Sequence, residues 1–247
     1  MLHRLRFTLS FALLLGILPI SGCMTPASQA SDASRPVEAA QAAGTLIEAA
    51  TTAMQPFMQR NEWEGFRNLT AGAQGILIVP SAVRIGLVLG AQLGDGILLT
   101  RHGNLWSDPV FVKLSNYNLG FLAGASDSTL VMMLLSQGAV RQFVAGASRF
   151  SGSGGFSIGE WGVGGLGAGG ISGGAQAITV ETSQGLFAGG GFGSARLSLD
   201  MPLNSAVYGA GFDAMGVLSG PGGRVPGVLP LQAALSNAVR CGFSGCR

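Results

Sequence analysis

The spacing of apolar residues changes once along this chain, near Gly75, and that change restricts the fold class more than any other feature. Over residues 37–54, apolar residues recur at helical spacing, as on one face of a helix. After Gly75, apolar and polar residues alternate in segments bounded by glycine, which is typical of strands. Helices followed by strands predict an α+β domain. In it, N-terminal helices pack on a glycine-rich, mostly antiparallel, barrel-like sheet with one internal helix.

The helical part is expected to break at Pro56, because proline lacks the N–H that a helix interior needs. A second short helix should follow, with Asn61 as its N-cap and Glu64 as the capping-box partner three residues later. Its apolar residues are Trp63, Phe66 and Leu69. They are interpreted as packing on the sheet, and insertion into lipid is the alternative.

The strand part begins at residues 76–79, which Pro80 is expected to end. Gly94-Asp95-Gly96 predicts the turn of a hairpin between residues 84–93 and 96–101, because glycine tolerates positive φ. Ser136 predicts the N-cap of an internal helix over residues 137–144. Further strands are expected at residues 110–114, 119–124, 129–134, 176–181 and 185–199, the last two flanking a turn at 182–184.

The N-terminus looks like a bacterial lipoprotein signal. Arg4 and Arg6 precede an apolar run at residues 7–20, which is shorter than the ~20 residues of a spanning helix, and Ile-Ser-Gly-Cys then ends at Cys23. We expect cleavage after residue 22 and acylation of Cys23, for instance with palmitate. Met24 in place of Asp favours the outer membrane, with the domain facing the periplasm. The alternative is an uncleaved signal anchor with a chance cysteine.

Charge is sparse and balanced. The chain has 14 basic and 12 acidic residues, and Arg4 and Arg6 leave with the signal, so the mature chain is close to neutral. Lys113 is its single lysine. Nucleic-acid binding needs a concentrated basic face, and scattered cations do not provide one. With 47% apolar residues, the chain is expected to bury one sizeable core.

The two remaining cysteines, Cys241 and Cys246, are expected to form a small-loop disulfide in an oxidising compartment. Two free thiols and half of a metal site are the alternatives. Because no histidine or further cysteine lies nearby to complete a tetrahedral shell, no metal and no cofactor are expected.

Composition also divides the chain. Residues 1–22 are the signal, and residues 23–36 are the lipidated cysteine and a flexible Ser/Ala/Pro-rich tether. The domain is expected over residues 37–211. Residues 212–247 add a Pro/Gly linker and a short amphipathic helix that leads to the cysteine pair.

Three segments resemble the SYLF domain family: GAQGILIVPSAVRIGLVLGAQLGDGILLTR (72–101), SNYNLGFLAGASDSTLVMMLLSQGAVRQF (115–143) and GLFAGGGFGSARLSLDMPLNSAVYG (185–209). The resemblance covers about residues 60–211. It implies a lipid-binding domain. Eukaryotic relatives bind phosphoinositides, in part through a basic amphipathic N-terminal segment, and some bind actin.

This chain departs from that pattern in its first helix. Residues 37–55 contain Glu38 and Glu48 but no lysine or arginine, so specific phosphoinositide recognition is not expected. Cations that could meet an anionic head group, or could be solvated surface charges, stand elsewhere: Arg60, Arg67, Arg84, Arg101 and Lys113.

The glycine tract at residues 152–174 carries two weaker alternatives. Gly-x-Ser-x-Gly around Ser157 and Ser172 spells a hydrolase nucleophile, but His102 is the only histidine left after the signal. Gly165, Gly169 and Gly173 could instead form a helical glycine zipper. We therefore expect a non-catalytic, lipid-anchored envelope protein that contacts membrane phospholipid. A structural or glycine-zipper lipoprotein acting through unidentified protein partners is the alternative, and a serine hydrolase is least favoured.

Overall fold

The computed structural model describes residues 30–59, 64–86, 89–145, 149–151, 163–171 and 175–244. It contains six helices and seven strands within these ranges. The helices are α1 (Ala30–Gln59), α2 (Glu64–Gly72), α3 (Gln137–Val144), α4 (Met201–Tyr208), α5 (Ala214–Ser219) and α6 (Leu229–Ser244). The strands are β1 (Gly75–Gly86), β2 (Leu89–His102), β3 (Leu105–Trp106), β4 (Val110–Leu134), β5 (Arg149–Ser151), β6 (Val163–Ile171) and β7 (Ala175–Leu199).

All seven strands belong to one antiparallel sheet in the order β3-β2-β1-β4-β7-β5-β6. Two further pairings, β2 with β4 and β6 with β7, join strands that are not neighbours in this order. The sheet therefore curls on itself, and the predicted α+β class with a barrel-like antiparallel sheet is confirmed.

Helices cover both faces of the sheet. Ile76 and Ile78 of β1 pack with residues of α1, α2 and α6, whereas Leu77 and Val79 pack on the opposite face with α3 and α5. Successive strand residues point to opposite faces, so a strand covered on both sides must be apolar at every position. This explains the continuous apolar runs of the sequence at residues 76–79, 97–99 and 130–134.

Helix α1 is longer than the sequence predicted. It begins at Ala30, within the segment expected as a tether, and it continues through Pro56 to Gln59. A proline inside a helix costs about 3 kcal/mol. Here the buried side chains of Met54 and Phe57 flank Pro56 on both sides. Packing of both residues on the sheet holds the helix past the proline, so the predicted break is wrong.

Strands β4 and β7 are also longer than predicted. They pair without interruption from Val112↔Leu199 to Leu134↔Ala177. The turn expected at residues 182–184 lies in the middle of β7, opposite residues 127–129 of β4. Cross-strand pairing therefore carries each strand through polar stretches that the sequence suggested as ends, residues 115–118 and 125–128 of β4 and 182–184 of β7.

The predicted hairpin turn at Gly94-Asp95-Gly96 is wrong as well. These residues lie inside β2, which forms its hairpin with β1 at the far end, where Gly86 pairs with Gly90. A Cβ on Gly94 would lie 2.7 Å from the carbonyl oxygen of Ser81, and one on Gly96 would lie 2.7 Å from that of Ile78. Both glycines are required by close backbone approach and not by positive φ.

The internal helix is confirmed. Helix α3 covers residues 137–144, and the Ser136 side chain accepts a hydrogen bond from the Ala139 N–H. In α2, Phe66 is buried and Leu69 partly buried against the core, as expected. Asn61 and Trp63 lie outside the described residues.

The glycine-zipper interpretation is wrong for the part of the tract that the structure describes. Gly165 and Gly169 lie in strand β6, where Gly169 pairs with Ala177 of β7, so they do not line one face of a helix. Among the described helices, none is both long and apolar enough to span a bilayer. Gly173, Ser157 and Ser172 lie outside the described residues.

The C-terminal segment packs into the same core as the rest of the domain. Leu231 and Leu235 of α6 are fully buried, as is Val228 of the preceding Pro/Gly segment, and Val225 of that segment is only 7% exposed. The boundary expected at residue 211 therefore divides one continuous core. Cys246 and the side chain of Cys241 lie outside the described residues, so their disulfide stays a prediction.

Candidate functional site

An open groove of about 1240 Å³ lies between α1 and the sheet. One wall is the middle of α1, and the other is formed by the middle of β1 and β2, the start of β4, the end of β7 and the start of α4. The lining is Ala39, Ala42, Thr45, Leu46, Ala49, Pro80, Ser81, Val83, Leu93, Gly94, Asp95, Lys113, Leu114, Ser115, Ser198, Asp200, Pro202 and Leu203.

The groove is largely apolar. Ala39, Ala42 and Ala49 recur at helical spacing on α1, and their small side chains leave the space open. On the sheet side, Val83 pairs directly with Leu93, and these side chains are 47% and 49% exposed. Two neighbouring large apolar residues facing an open groove are typical of a binding surface.

A bulge at Pro80 places Val83 in the groove. Before the bulge, the even-numbered Ile76 and Ile78 face the α1 side of the sheet. After the bulge, the even-numbered Ala82 faces the opposite side, so the odd-numbered Val83 faces α1. The register of β1 shifts here relative to both neighbours. Because a bulge adds one residue, it exchanges the two faces of the strand that follows.

Side-chain hydrogen bonds fasten the bulge to strand β4. The Thr129 hydroxyl donates to the Pro80 carbonyl at 3.0 Å, and the Ser81 hydroxyl donates to Asp127 at 2.9 Å. The hydroxyl of the buried Ser128 donates to the Ala82 carbonyl at 3.2 Å. This wall of the groove is therefore held in place by the fold and does not depend on a ligand.

One end of the groove is charged. The Lys113 ammonium lies 2.8 Å from an Asp200 carboxylate oxygen and 3.2 Å from one of Asp95. The hydrogen bond to Asp200, opposed by partial burial, raises the pKa of Lys113 above its ordinary value. Asp200 also caps α4, since its other oxygen accepts from the Leu203 N–H at 3.1 Å. Three charges thus meet at this end, with one more negative than positive.

The structure does not bring the predicted cations together. Arg101 lies near the C-terminal end of β2, six residues or roughly 20 Å from Asp95, and its Nε donates to the Ala73 carbonyl. Arg67 donates to the Phe57 carbonyl at the C-terminal end of α1. Arg84 lies in β1 opposite Gln92, but its side chain lies outside the described residues, as does all of Arg60. Of the cations with described side chains, Lys113 alone lines the groove.

A second polar cluster, which the sequence did not predict, surrounds Asp108. This side chain is fully buried and accepts hydrogen bonds from the N–H groups of Gly223 and Arg224, at 2.8 and 3.0 Å, and from the Arg224 Nε at 2.9 Å. Nearby, the Gln232 amide donates to the carbonyls of Trp106 and Ser107. The cluster fastens the C-terminal segment to the sheet. The sequence feature that could have indicated this cluster is a single acidic residue, Asp108, between Trp106-Ser107 and the apolar start of β4.

The Tyr208 hydroxyl extends this cluster by donating to the Pro109 carbonyl. Burial, and secondarily the negative charge of Asp108, raises the pKa of Tyr208 well above its ordinary value. In the unfolded chain the phenol ionises near pH ~10, so its contribution to stability is complete below that pH and is lost as the pH rises further.

Replacing Tyr208 with phenylalanine is therefore expected to lower the free energy of unfolding by about 1 kcal/mol at neutral pH, through the lost hydrogen bond. Above pH ~10 this difference should shrink, because the variant has no phenol to ionise. Urea unfolding of both proteins at neutral and alkaline pH measures it. A difference that stays constant with pH would contradict the raised pKa. The raised pKa of Lys113 also makes stability depend on alkaline pH, but it does so equally in both proteins and therefore cancels from the difference between them.

The described residues offer no metal centre, since nowhere among them do three His, Cys, Asp or Glu side chains come together. The geometry is that of a binding groove with apolar walls and one charged end.

Comparison with known proteins gives a matching family model and a similar protein, but no matching solved structure. The family model described as "Ysc84: Las17-binding protein actin regulator" matches residues 115–238, half of the chain. The "SH3 domain-containing YSC84-like protein 1" of Xenopus laevis is 32% identical over 124 residues, which are 49% of this chain and 37% of that protein. The chain therefore spans little more than a third of that relative. No solved structure gives a significant match.

Proposed function

Since this chain belongs to the Ysc84 family, whose domain is also known as SYLF, we propose that it is a non-catalytic protein that binds phospholipid. The groove holds the apolar part of the lipid, and the Lys113 end faces the head group. The single observation that carries this assignment is the exposed pair Val83 and Leu93 opposite the alanines of α1.

The dimensions and chemistry of the groove suit an amphiphile. Its volume of about 1240 Å³ is above the ~300–1,000 Å³ found for small-molecule pockets, and it is open to solvent. Covering the exposed halves of Val83 and Leu93 should stabilise a complex by about 2 kcal/mol in total, because a fully buried side chain of this kind contributes ~1.5–3 kcal/mol.

Charge contributes less than in a basic lipid-binding surface. Lys113 is already paired with two carboxylates, and the described Arg67 and Arg101 side chains lie away from the groove. Each free cation near an anionic surface adds on the order of 1 kcal/mol, and salt screens that attraction. We expect modest salt dependence and little selectivity for phosphoinositides.

The proposal includes an anchor in the cell envelope, through acylation of Cys23 and sorting to the outer membrane. Helix α1 begins at Ala30, seven residues after Cys23. Seven residues span at most about 25 Å, so an anchored Cys23 would keep the start of α1 within that distance of the lipid. Any lipid contact of the groove would then be made at the membrane that holds the anchor.

A second candidate is a role through protein partners. It is supported by the family description, which names a Las17-binding actin regulator. The name of the frog relative, which describes that protein as SH3 domain-containing, supports it as well. Because the chain covers only 37% of that relative, this candidate applies to the shared domain alone. Lipid binding by the purified domain separates the two candidates.

The test replaces the apolar wall. In a soluble form starting at residue 24, which contains every described helix and strand, Val83→Ser with Leu93→Ser should weaken co-sedimentation with vesicles at least tenfold, because about 2 kcal/mol of burial is lost. Ala42→Trp should weaken it too, by filling the groove from α1. Because Val83 and Leu93 are about half buried, the double variant should also lose up to about 2 kcal/mol of stability, and a melting curve checks that it is folded at the temperature of the binding assay.

The matched control is Leu105→Ser, which removes an equally large apolar side chain, 68% exposed, at β3. It should leave vesicle binding unchanged. If the groove variants and Leu105→Ser bind as well as the unmodified protein does, the groove is not the lipid site. If the unmodified protein does not bind vesicles, the role through protein partners is favoured.

A further inference from the structure

We propose that the charged end of the groove selects a phospholipid whose head group carries a primary ammonium, with N–H donors, beside its phosphate, as phosphatidylethanolamine does and phosphatidylcholine does not, over a purely anionic lipid. This inference rests on the proposed lipid-binding function and adds the class of head group. The observation behind it is the arrangement of Lys113, Asp95 and Asp200 at the end of an otherwise apolar groove.

The two carboxylates differ in how firmly they are held. Asp200 is 9% exposed; one of its oxygens caps α4 and the other binds Lys113 at 2.8 Å. Asp95 is 62% exposed and lies 3.2 Å from the ammonium of Lys113, which is itself 52% exposed. The Lys113–Asp200 pair is thus part of the fold. The pair with Asp95 is solvent-exposed, and such pairs contribute little to stability.

A zwitterionic head group can replace the exposed pair without leaving a charge unpaired. Lys113 has three N–H donors, so it can keep Asp200 and donate to a phosphate. The carboxylate of Asp95 is then free to accept from the ammonium of the lipid. The apolar chains meanwhile lie along Val83 and Leu93, which line the same groove.

An anionic head group without an ammonium meets a less favourable site. Its phosphate would also draw Lys113 away from Asp95, but nothing in the lipid would compensate the released carboxylate. The site carries one excess negative charge before any lipid binds, and the exposed Asp127 lies close by, hydrogen-bonded to Ser81 of the lining. Charge complementarity therefore favours the ammonium-bearing head group.

The experiment compares vesicles of phosphatidylcholine mixed with equal amounts of phosphatidylethanolamine or phosphatidylglycerol. The soluble form should bind the ethanolamine vesicles about fivefold more tightly, as one charge contact near a membrane surface allows. Asp95→Asn should remove this preference and strengthen binding to phosphatidylglycerol. The matched control is Glu64→Gln, which removes one exposed negative charge from α2, outside the groove lining, and should keep the preference.

Equal or tighter binding of phosphatidylglycerol by the unmodified protein would overturn the inference and leave the proposed lipid binding standing. The inference would also be overturned if Asp95→Asn kept the preference, or if Glu64→Gln abolished it equally, since net charge alone would then explain it. Absence of binding to both kinds of vesicle would instead overturn the proposed function, and the inference with it.

Discussion

Replacing Cys23 with serine is expected to abolish lipid attachment to this chain completely. The proposed anchor is a thioether on the Cys23 sulfur, and a serine hydroxyl cannot take its place. The precursor should also remain uncut, because the lipoprotein peptidase acts on the acylated cysteine. Metabolic labelling with palmitate in a bacterial host, followed by measurement of the intact mass, tests both results.

The matched control is Cys246→Ser, which removes a cysteine that should not carry lipid. It should keep its label and its processed mass. In cell fractions, the unmodified protein and this control should both sediment with membranes. The Cys23→Ser precursor should not undergo lipoprotein processing. Palmitate incorporation by Cys23→Ser would show that the N-terminal interpretation is wrong.

Asp108→Ala is expected to cause the largest loss of stability of the substitutions considered. It removes a fully buried carboxylate and leaves the N–H groups of Gly223 and Arg224 without their acceptor. Removing one partner of a buried charged pair costs about 3–5 kcal/mol. The Arg224 guanidinium is 62% exposed and can be solvated, so we expect the lower end of this range. For a domain of this size, that corresponds to a melting temperature lower by about 6–12 °C.

The control for Asp108→Ala is Asp213→Ala. Asp213 also accepts hydrogen bonds from two backbone N–H groups, those of Met215 and Gly216, but it does so at the exposed N-terminus of α5. Loss of such a cap costs about 1 kcal/mol. Thermal and urea unfolding of both variants should therefore differ by about 2 kcal/mol. Equal losses would contradict the assignment of Asp108 as the main fastening point of the C-terminal segment.

The elements that the sequence predicted well are those with local causes. Helix α3 has its bounds and its cap as expected, because the Ser136 side chain binds the chain three residues away. The errors concern features decided by distant contacts. Glycines suggested a turn at residues 94–96, whereas Gly94 and Gly96 are needed because the backbone of β1 lies too close for a Cβ. Pro56 suggested a break that burial of its neighbours prevents.

The site was predictable only in part. Lys113 was named because it is a cation, but its two acidic partners come from residues 18 positions before it and 87 after it, and no local pattern joins them. Val83 could not be assigned to the groove, because the bulge at Pro80 exchanges the faces of β1, and Leu93 joins the groove only through its pairing with Val83. Asp108 was missed because its partners lie more than a hundred residues away along the chain.

The long pairing of β4 with β7 has a consequence for how this protein folds. Val112 pairs with Leu199, which lies far along the chain, and Asp108 binds residues 223 and 224, which lie further along it still. Contacts between such distant segments form slowly, since a long loop must close before any of them stabilises the chain. The β1–β2 hairpin can form early and β4 can join it, but the other edge of β4 begins to be paired only when residue 177 has been made and is fully paired only at residue 199. The nascent domain thus exposes an unpaired strand edge, and with it a risk of aggregation, until β7 is complete.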